Sequence, residues 1–294
     1  MIRTSTLLLA VLLSFQLYAQ PKQRKQKFNN QNTANKQGAF LEKQWWIGLK
    51  GGVNLTEATP QQRYSVLTAT SNYPASQLQK KYTAFNKTGS QATLEVTFYF
   101  KGFSFSFQPT YRHSRFTYSN QFEWTDTETV GNHLLLNYKQ ENIIDYADLP
   151  FIVKYDLTKT KLRPYVHAGI FYSVLLNATK SVNIEGTDFA SGGTNQFSNE
   201  ALIVGATDLY NKSYWGLLAG GGADYNLGNV RLVLDISYQR GMSNVTNTSN
   251  RFSNDRLSGI GDAMDDMKIN NIVISFGCLF PMRFLGTGFK TLDR

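Results

Sequence analysis

Leu94-Glu-Val-Thr-Phe-Tyr-Phe100, Lys101-Gly102 and Phe103-Ser-Phe-Ser-Phe-Gln-Pro-Thr-Tyr-Arg112 form the stretch that decides the fold. Side chains alternate across a β-strand with a period of two. Phe103, Phe105, Phe107, Pro109 and Tyr111 therefore share one face, and Ser104, Ser106, Gln108, Thr110 and Arg112 the other. Upstream, Leu94, Val96, Phe98 and Phe100 alternate with Thr93, Glu95, Thr97 and Tyr99. Lys101-Gly102 between the two runs is a tight-hairpin signal. The same alternation recurs over residues 45–54, 143–156, 162–175, 214–226, 230–240 and 269–280. That makes eight candidate strands.

The connections settle what kind of β-protein this is. Short turns at 101–102, 158–161 and 227–229 alternate with polar segments of roughly 25 to 40 residues, a length uncommon in compact soluble domains. Short turns on one side and long loops on the other are the pattern of an outer-membrane barrel. Aromatic rings favour the lipid headgroup level. Trp45, Trp46, Tyr99, Phe100, Phe103, Tyr155, Tyr165, Tyr225 and Phe280 fall near the periplasmic strand ends, and Tyr111, Phe116, Tyr172, Tyr214, Trp215 and Tyr238 near the opposite ends. Two girdles follow. The fold class is all-β, an eight-stranded antiparallel up-and-down transmembrane β-barrel over residues 45–281. Ala201-Leu-Ile-Val-Gly205 is either a strand extension above the bilayer or half of a hairpin that would raise the count to ten.

Composition agrees. Of 294 residues, 41% are hydrophobic and only 17% charged, with 20 Phe, 16 Tyr and 4 Trp. This is neither the make-up of a disordered chain nor that of a helical membrane protein. A single cysteine, Cys278, excludes an intramolecular disulfide framework and a Cys-rich zinc site. Residues 1–19, with Arg3 and an apolar run from Leu7 to Leu17, read as a secretory signal peptide too short to span a bilayer. Residues 20–44 carry six Lys or Arg against one Glu. They read as a basic, Gln/Asn-rich flexible periplasmic segment rather than a nucleic-acid-binding arm. Residues 282–294 read as a periplasmic C-terminal tail.

At this point the chain resembles the PorT-like outer-membrane β-barrel family of Bacteroidota. The resemblance rests on Ile47-Gly-Leu-Lys-Gly-Gly-Val-Asn54, Phe105-Ser-Phe-Gln-Pro109, Leu149-Pro-Phe-Ile-Val-Lys-Tyr155, Arg163-Pro-Tyr-Val-His-Ala-Gly169 and Gly220-Gly-Gly-Ala-Asp-Tyr225. It implies an eight-stranded barrel in the outer membrane. It also implies a non-enzymatic structural or accessory role, in type IX secretion or gliding for the founding member. The basic segment 20–44 and the residues past Phe280 depart from the family pattern.

An eight-stranded barrel has an interior just wide enough for side chains to fill it. The alternation turns Lys50, Glu95, Arg112, Lys154, Arg163, His167, Asp224, Arg231 and Asp235 inward. Mixed signs point to an ion-paired plug, with Lys154 and Arg112 paired to Glu95, Asp235 or Asp224; a narrow small-solute channel is the alternative. A rim enzyme acting on lipid would need His113 or His133 beside a nucleophile such as Ser114 or Ser119 and a carboxylate such as Asp126. His167 reads as a hydrogen-bonded lumen residue. Asn254-Asp255, Asp262, Asp265 and Asp266 are dense enough to suggest calcium, but the EF-hand spacing is absent. Gly261–Lys268 reads instead as a short helix on a solvated loop. No catalytic set, cofactor or metal is expected. The expected partners are outer-membrane lipids, and proteins reached through the periplasmic tails or surface loops.

Overall fold

The computed structural model describes residues 43–69, 79–129, 131–190, 193–227 and 230–282. Its strands in chain order are β1 (Lys43–Gln62), β2 (Lys81–Thr83), β3 (Thr88–Phe100), β4 (Phe103–Phe107), β5 (Thr110–Thr125), β6 (His133–Asp156), β7 (Leu162–Asp188), β8 (Asn195–Ser198), β9 (Leu202–Gly205), β10 (Ser213–Asn226), β11 (Arg231–Gly241) and β12 (Asp266–Pro281). The signal peptide, residues 20–42 of the basic segment and residues 283–294 of the tail lie outside the described residues, as does part of the 227–229 turn.

Antiparallel pairing runs β1–β3, β3 with β4 and β5, both of these with β6, then β6–β7–β10–β11–β12, and β12 returns to β1. Among the described residues the ring closes on eight strands, because β4 and β5 are one line of chain interrupted at Gln108-Pro109. Proline has no N–H to give the ladder, yet its carbonyl still accepts from the Leu94 N–H at 2.9 Å. Lys101 and Gly102 have φ of 49° and 98°. Positive φ at both central residues is what a two-residue type I′ hairpin needs. Gly102→Val should therefore cost about 1 kcal/mol or more, read as a lower thermal midpoint in detergent. The segment Ala201–Gly205 adds no stave. Its strand β9 pairs only with Thr179–Val182 high on β7, beside β8 on the same strand.

The outward residues of the lower half are apolar. Leu49, Phe105, Phe151, Ile170, Leu217, Ile236 and Phe276 are all exposed, Phe151 at 60% and Leu49 at 66%. A water-soluble monomer avoids so large a contiguous apolar surface; lipid accepts it. One edge of the belt carries exposed Trp45, Phe103, Tyr155, Tyr225 and Phe280, the other Tyr111, Tyr172, Trp215 and Tyr238. Five girdle assignments need correction: Trp46, Tyr99, Tyr165, Phe116 and Tyr214 are buried inside. Trp46, Tyr99, Tyr165 and Tyr214 stand at the right height but on the wrong phase of the period-two alternation, and Phe116 lies five residues beyond Tyr111, above the girdle.

Several strands run well past the outer girdle. About 9–11 residues of a tilted strand cross a bilayer core, whereas β6 has 24 and β7 27. Above Tyr111 the alternation inverts. Phe116, Tyr118, Tyr138, Ile144, Tyr146 and Val182 point inward and are buried, and Arg115, Thr117, Lys139 and Glu141 point outward. Water outside demands polar residues there, and the interior takes the apolar ones. The molecule is a membrane barrel below and a soluble-type barrel above, on the same strands. A bulge at Leu176 lies on β7 near the changeover, where Tyr146 pairs with Leu175 and Asp145 with Asn177.

Candidate functional site: the ion-paired lumen and its cap

The lower lumen is built by inward positions that the alternation fixes. Glu95 is fully buried and bridges two ammonium groups, Lys50 at 2.8 Å and Lys154 at 2.6 Å. Its Oε1 also accepts from Thr97 (2.7 Å), and Lys50 donates to Gln108 Oε1 at 2.7 Å. Beside this triad, His167 Nε2 lies 3.0 Å from Asp235, which accepts from the Tyr165 hydroxyl at 2.8 Å. Arg231 pairs with Asp224 at 3.2 Å and lies 4.3 Å over the Trp46 ring; Arg163 reaches Asp156 at 3.5 Å. A glycine is required here. A Cβ on Gly220 would sit 2.2 Å from the Ile236 carbonyl and 2.7 Å from His167 Nε2. Gly220→Ala should cost about 1–3 kcal/mol by overpacking, seen as earlier loss of the folded band on heating in SDS.

Higher up, Arg112 is wholly buried. Its Nε and Nη2 clamp Asp148 at 2.6 and 3.2 Å, Nη2 also donates to the Tyr214 hydroxyl, and Nη1 to Ser114. The expected partner of Arg112 was Glu95, Asp235 or Asp224; Lys154 does pair with Glu95, but Arg112 takes Asp148. Asp148 lies on the same face of residues 143–156 as Lys154, and that parity is the signal by which it was legible. Lys50, Lys154, Arg112, Arg163 and Arg231 thus face Glu95, Asp148, Asp156, Asp224 and Asp235, equal numbers of each sign. Charges removed from bulk water persist only when paired and hydrogen-bonded in this way.

The mouth is closed by the last long loop. A one-turn helix, Asp255–Ser258, is capped by the Asn254 side chain accepting from the Leu257 N–H. Leu257, Met264 and Met267 then pack into the upper core with Phe116, Tyr118, Ile144 and Val182. Residues 261–268 are not the solvated helix expected. Asp262 is buried against Lys180, Tyr118 and Gln140, and Asp265 against Lys80 (2.9 Å) and the Tyr82 hydroxyl (2.8 Å). Arg251 Nη2 holds Asp266 at 2.6 Å, and Arg251 also donates to the Met264 carbonyl. Asp262, Asp265 and Asp266 are thus each held by a lysine or arginine, and no group of three potential ligands is poised for a metal among the described residues. Burial alone would raise the Asp262 pKa, but Lys180 and Lys80 outweigh it and hold the carboxyl below its ordinary range.

The histidines are dispersed. His133 stacks on Phe189 with ring centroids 3.8 Å apart. His113 lies on the outer wall, its Nδ1 2.7 Å from Asp145, which also accepts from the Tyr111 hydroxyl at 2.9 Å. Ser90 is the cross-strand partner of His113 on β3, and Asp145 its partner on β6. Ser114 faces inward, bound to Arg112.

A closed antiparallel ring with a lipid belt, two aromatic edges and an ion-paired interior is an integral outer-membrane β-barrel. The family model described as "Outer membrane protein beta-barrel domain" matches residues 18–247, and the chain belongs to that family. Among solved structures, Neisserial surface protein A is similar at 13% identity, with 80% of this chain and 96% of that chain covered and a TM-score of 0.33. The attachment invasion locus protein Ail of Yersinia pestis is similar at 11% identity, covering 81% and 99%, with a TM-score of 0.28. The N-terminal β-barrel domain of Pseudomonas aeruginosa OprF is similar at 11% identity, covering 78% and 96%, with a TM-score of 0.24. Scores this low say nothing of function. No curated protein matches the sequence.

Proposed function

We propose that this chain is a closed, non-enzymatic barrel that anchors an outer-membrane assembly. Its partners are reached through the basic segment 20–44, whose last two residues, Lys43 and Gln44, open β1 rather than belonging to the flexible lead, through residues 282–294, or through the surface loops. Following the PorT-like resemblance, the assembly is one of type IX secretion or gliding. The observation that carries the reading is the charge-balanced lumen under a buried loop. Lys50, Glu95, Arg112, Lys154, His167, Asp224 and Asp235 act as a polar plug: every ion pair that fills the bore removes space and mobile charge that a conducting path needs. The purified barrel should give no stepwise current in planar bilayers, and steady conductance would favour the small-solute channel instead. Affinity purification from native membranes, with and without residues 20–44 and 282–294, identifies the assembly. Recovery of the same partners without either segment moves the docking role to the loops.

A second reading, a lipid-modifying enzyme on the outer wall, draws on the row Ser90–His113–Asp145 across β3, β5 and β6. It requires the Ser90 hydroxyl to turn onto His113, a hydrogen bond not made among the described residues. Ester hydrolysis lost in His113→Ala, together with labelling of Ser90 by a fluorophosphonate, would carry it.

A further inference from the structure

Beyond Tyr118, which meets the cap at Asp262, β5 runs on beside β6, β7 and β8. Directly opposed residues of antiparallel strands share a face. Phe122 opposes Leu136, Leu136 opposes Gly186, and Gly186 opposes Phe197, one row across four strands. Trp124 and Leu134 pair in the row above, Tyr138 and Ile184 in the row below. This is the inner face, since Phe122, Leu136 and Ile184 pack on the upper core. A Cβ on Gly186 would lie 2.1 Å from the Phe197 ring, so that ring occupies the space over Gly186. The outer face carries polar pairs instead, Gln121 with Asn137 and Lys139 with Glu185, both at 2.7 Å. Trp124 keeps 44% of its surface exposed and Phe197 41%. A contiguous apolar face in water, rimmed by polar residues, marks an interaction site.

Height, charge and width select the occupant. Trp124 stands thirteen residues beyond Tyr111 on β5, about 43 Å along the strand and about 30 Å higher at the usual tilt. That clears the headgroups, so lipid does not reach it. The chain carries a formal charge of +9, yet residues 119–138 and 181–205 hold six Asp or Glu and no Lys or Arg. Glu185 is matched by Lys139, while Glu128 in the turn after β5 and Glu200 after β8 are exposed. Like charge opposes a second copy of this surface and favours a cationic partner. Four strands are about 14 Å across, enough to seat one α-helix of about 10–12 Å with its side chains. A bare sheet face is what a helix covers; an extended peptide would add to the edge of β8 and leave the rings bare.

We propose that this raised inner face docks a cationic amphipathic helix of a polypeptide outside the cell. The apolar stripe of the helix lies on Phe122, Trp124, Leu136 and Phe197, and its Lys and Arg lie along Glu128 and Glu200. Trp124 and Phe197 are the anchors, because large rings that become fully buried carry most of the energy of such contacts. The inference gives the surface loops a partner of defined chemistry and rests on that part of the proposed function alone.

The test uses the full barrel in zwitterionic detergent micelles, with empty micelles as the blank. The probe is a synthetic amphipathic Lys/Leu helix of about five turns. Its comparators are the same residues scrambled so that the leucines share no face, a Glu/Leu counterpart, and an alternating Lys/Val peptide. Saturable binding of the first peptide is expected, weakened about tenfold in Trp124→Ser/Phe197→Ser. Glu128→Lys/Glu200→Lys changes only exposed positions, which keeps the proposal testable if the first variant does not refold; it should weaken binding several-fold and reduce its salt dependence. Peptide taken up by the micelle alone would bind native and variant barrels equally, and that result overturns the proposal. So does equal binding of the scrambled, anionic or alternating peptide, or a dimer of the barrel that Trp124→Ser/Phe197→Ser dissolves. Failure here leaves the closed lumen, which conductance decides, and docking through the tails, which their deletion decides, as they stand.

Discussion

Glu95→Ala should lower the unfolding free energy of the barrel by about 3–5 kcal/mol. Glu95 is the shared counter-charge of Lys50 and Lys154, both buried in the lower lumen. Removing it leaves two ammonium groups close together, out of water, with Asp224 and Asp235 already engaged by Arg231 and His167. Glu95→Gln keeps the volume and most hydrogen bonds, so its loss isolates the charge. The readouts are the denaturant midpoint in micelles and the temperature at which the folded band disappears from an SDS gel. A triple variant, Lys50→Met, Glu95→Leu and Lys154→Met, removes all three charges at once and should recover part of the loss, because no buried charge of the triad is then left unpaired, while Gln108 Oε1 loses its lysine donor. Should Glu95→Gln and Asp235→Asn both leave the midpoint unchanged, the plug is not what holds the lumen.

Asp262→Ala is expected to release the cap. Lys180 is wholly buried and its ammonium is held by Asp262, with Lys80 a short distance away on Asp265 and the ring of Tyr118 beneath both. Without Asp262 an unpaired ammonium remains among Phe116, Val182 and Met264, again at a cost of about 3–5 kcal/mol. Because that cost falls on one loop, the loop can open while the ring stays closed. Trypsin should then cut faster after exposed Arg256, with the folded band on SDS gels retained. The pH dependence has a definite sign. The Asp262 carboxyl is held below its ordinary range in the folded cap, so its contribution is present above the unfolded carboxylate pKa and is lost as pH falls through the folded value. Acid should therefore mimic Asp262→Ala, and tryptic cleavage after a brief acid pulse should rise in the native protein and stay level in the variant.

The membrane half of this fold was legible because lipid enforces one rule on every strand: apolar out, polar in. Residues 94–112 carry that rule with almost no exception, and the inward set Lys50, Glu95, Lys154, His167, Asp224 and Asp235 follows from parity alone. The girdle assignments of Trp46, Tyr99, Tyr165 and Tyr214 failed where height along the strand was used without parity, and that of Phe116 failed in height as well. The extracellular half was harder to read. Beyond Tyr111 the solvent outside changes from lipid to water and the apolar residues move to the inward phase, so the alternation inverts rather than stops. Phe116, Tyr118, Ile144 and Tyr146 record that inversion in the sequence.

Alternation, turn chemistry and spacing thus determined by themselves that the chain closes into a lipid-embedded ring, where its edges meet the headgroups, and which side chains enter the bore. These are local properties, since each strand repeats them independently. Only the tertiary structure decided the partners: Arg112 with Asp148, Lys180 with Asp262, Lys80 with Asp265. Their separations along the chain are 36, 82 and 185 residues, and such pairs depend on the shear of the ring and on where a long loop folds back. No local pattern encodes either.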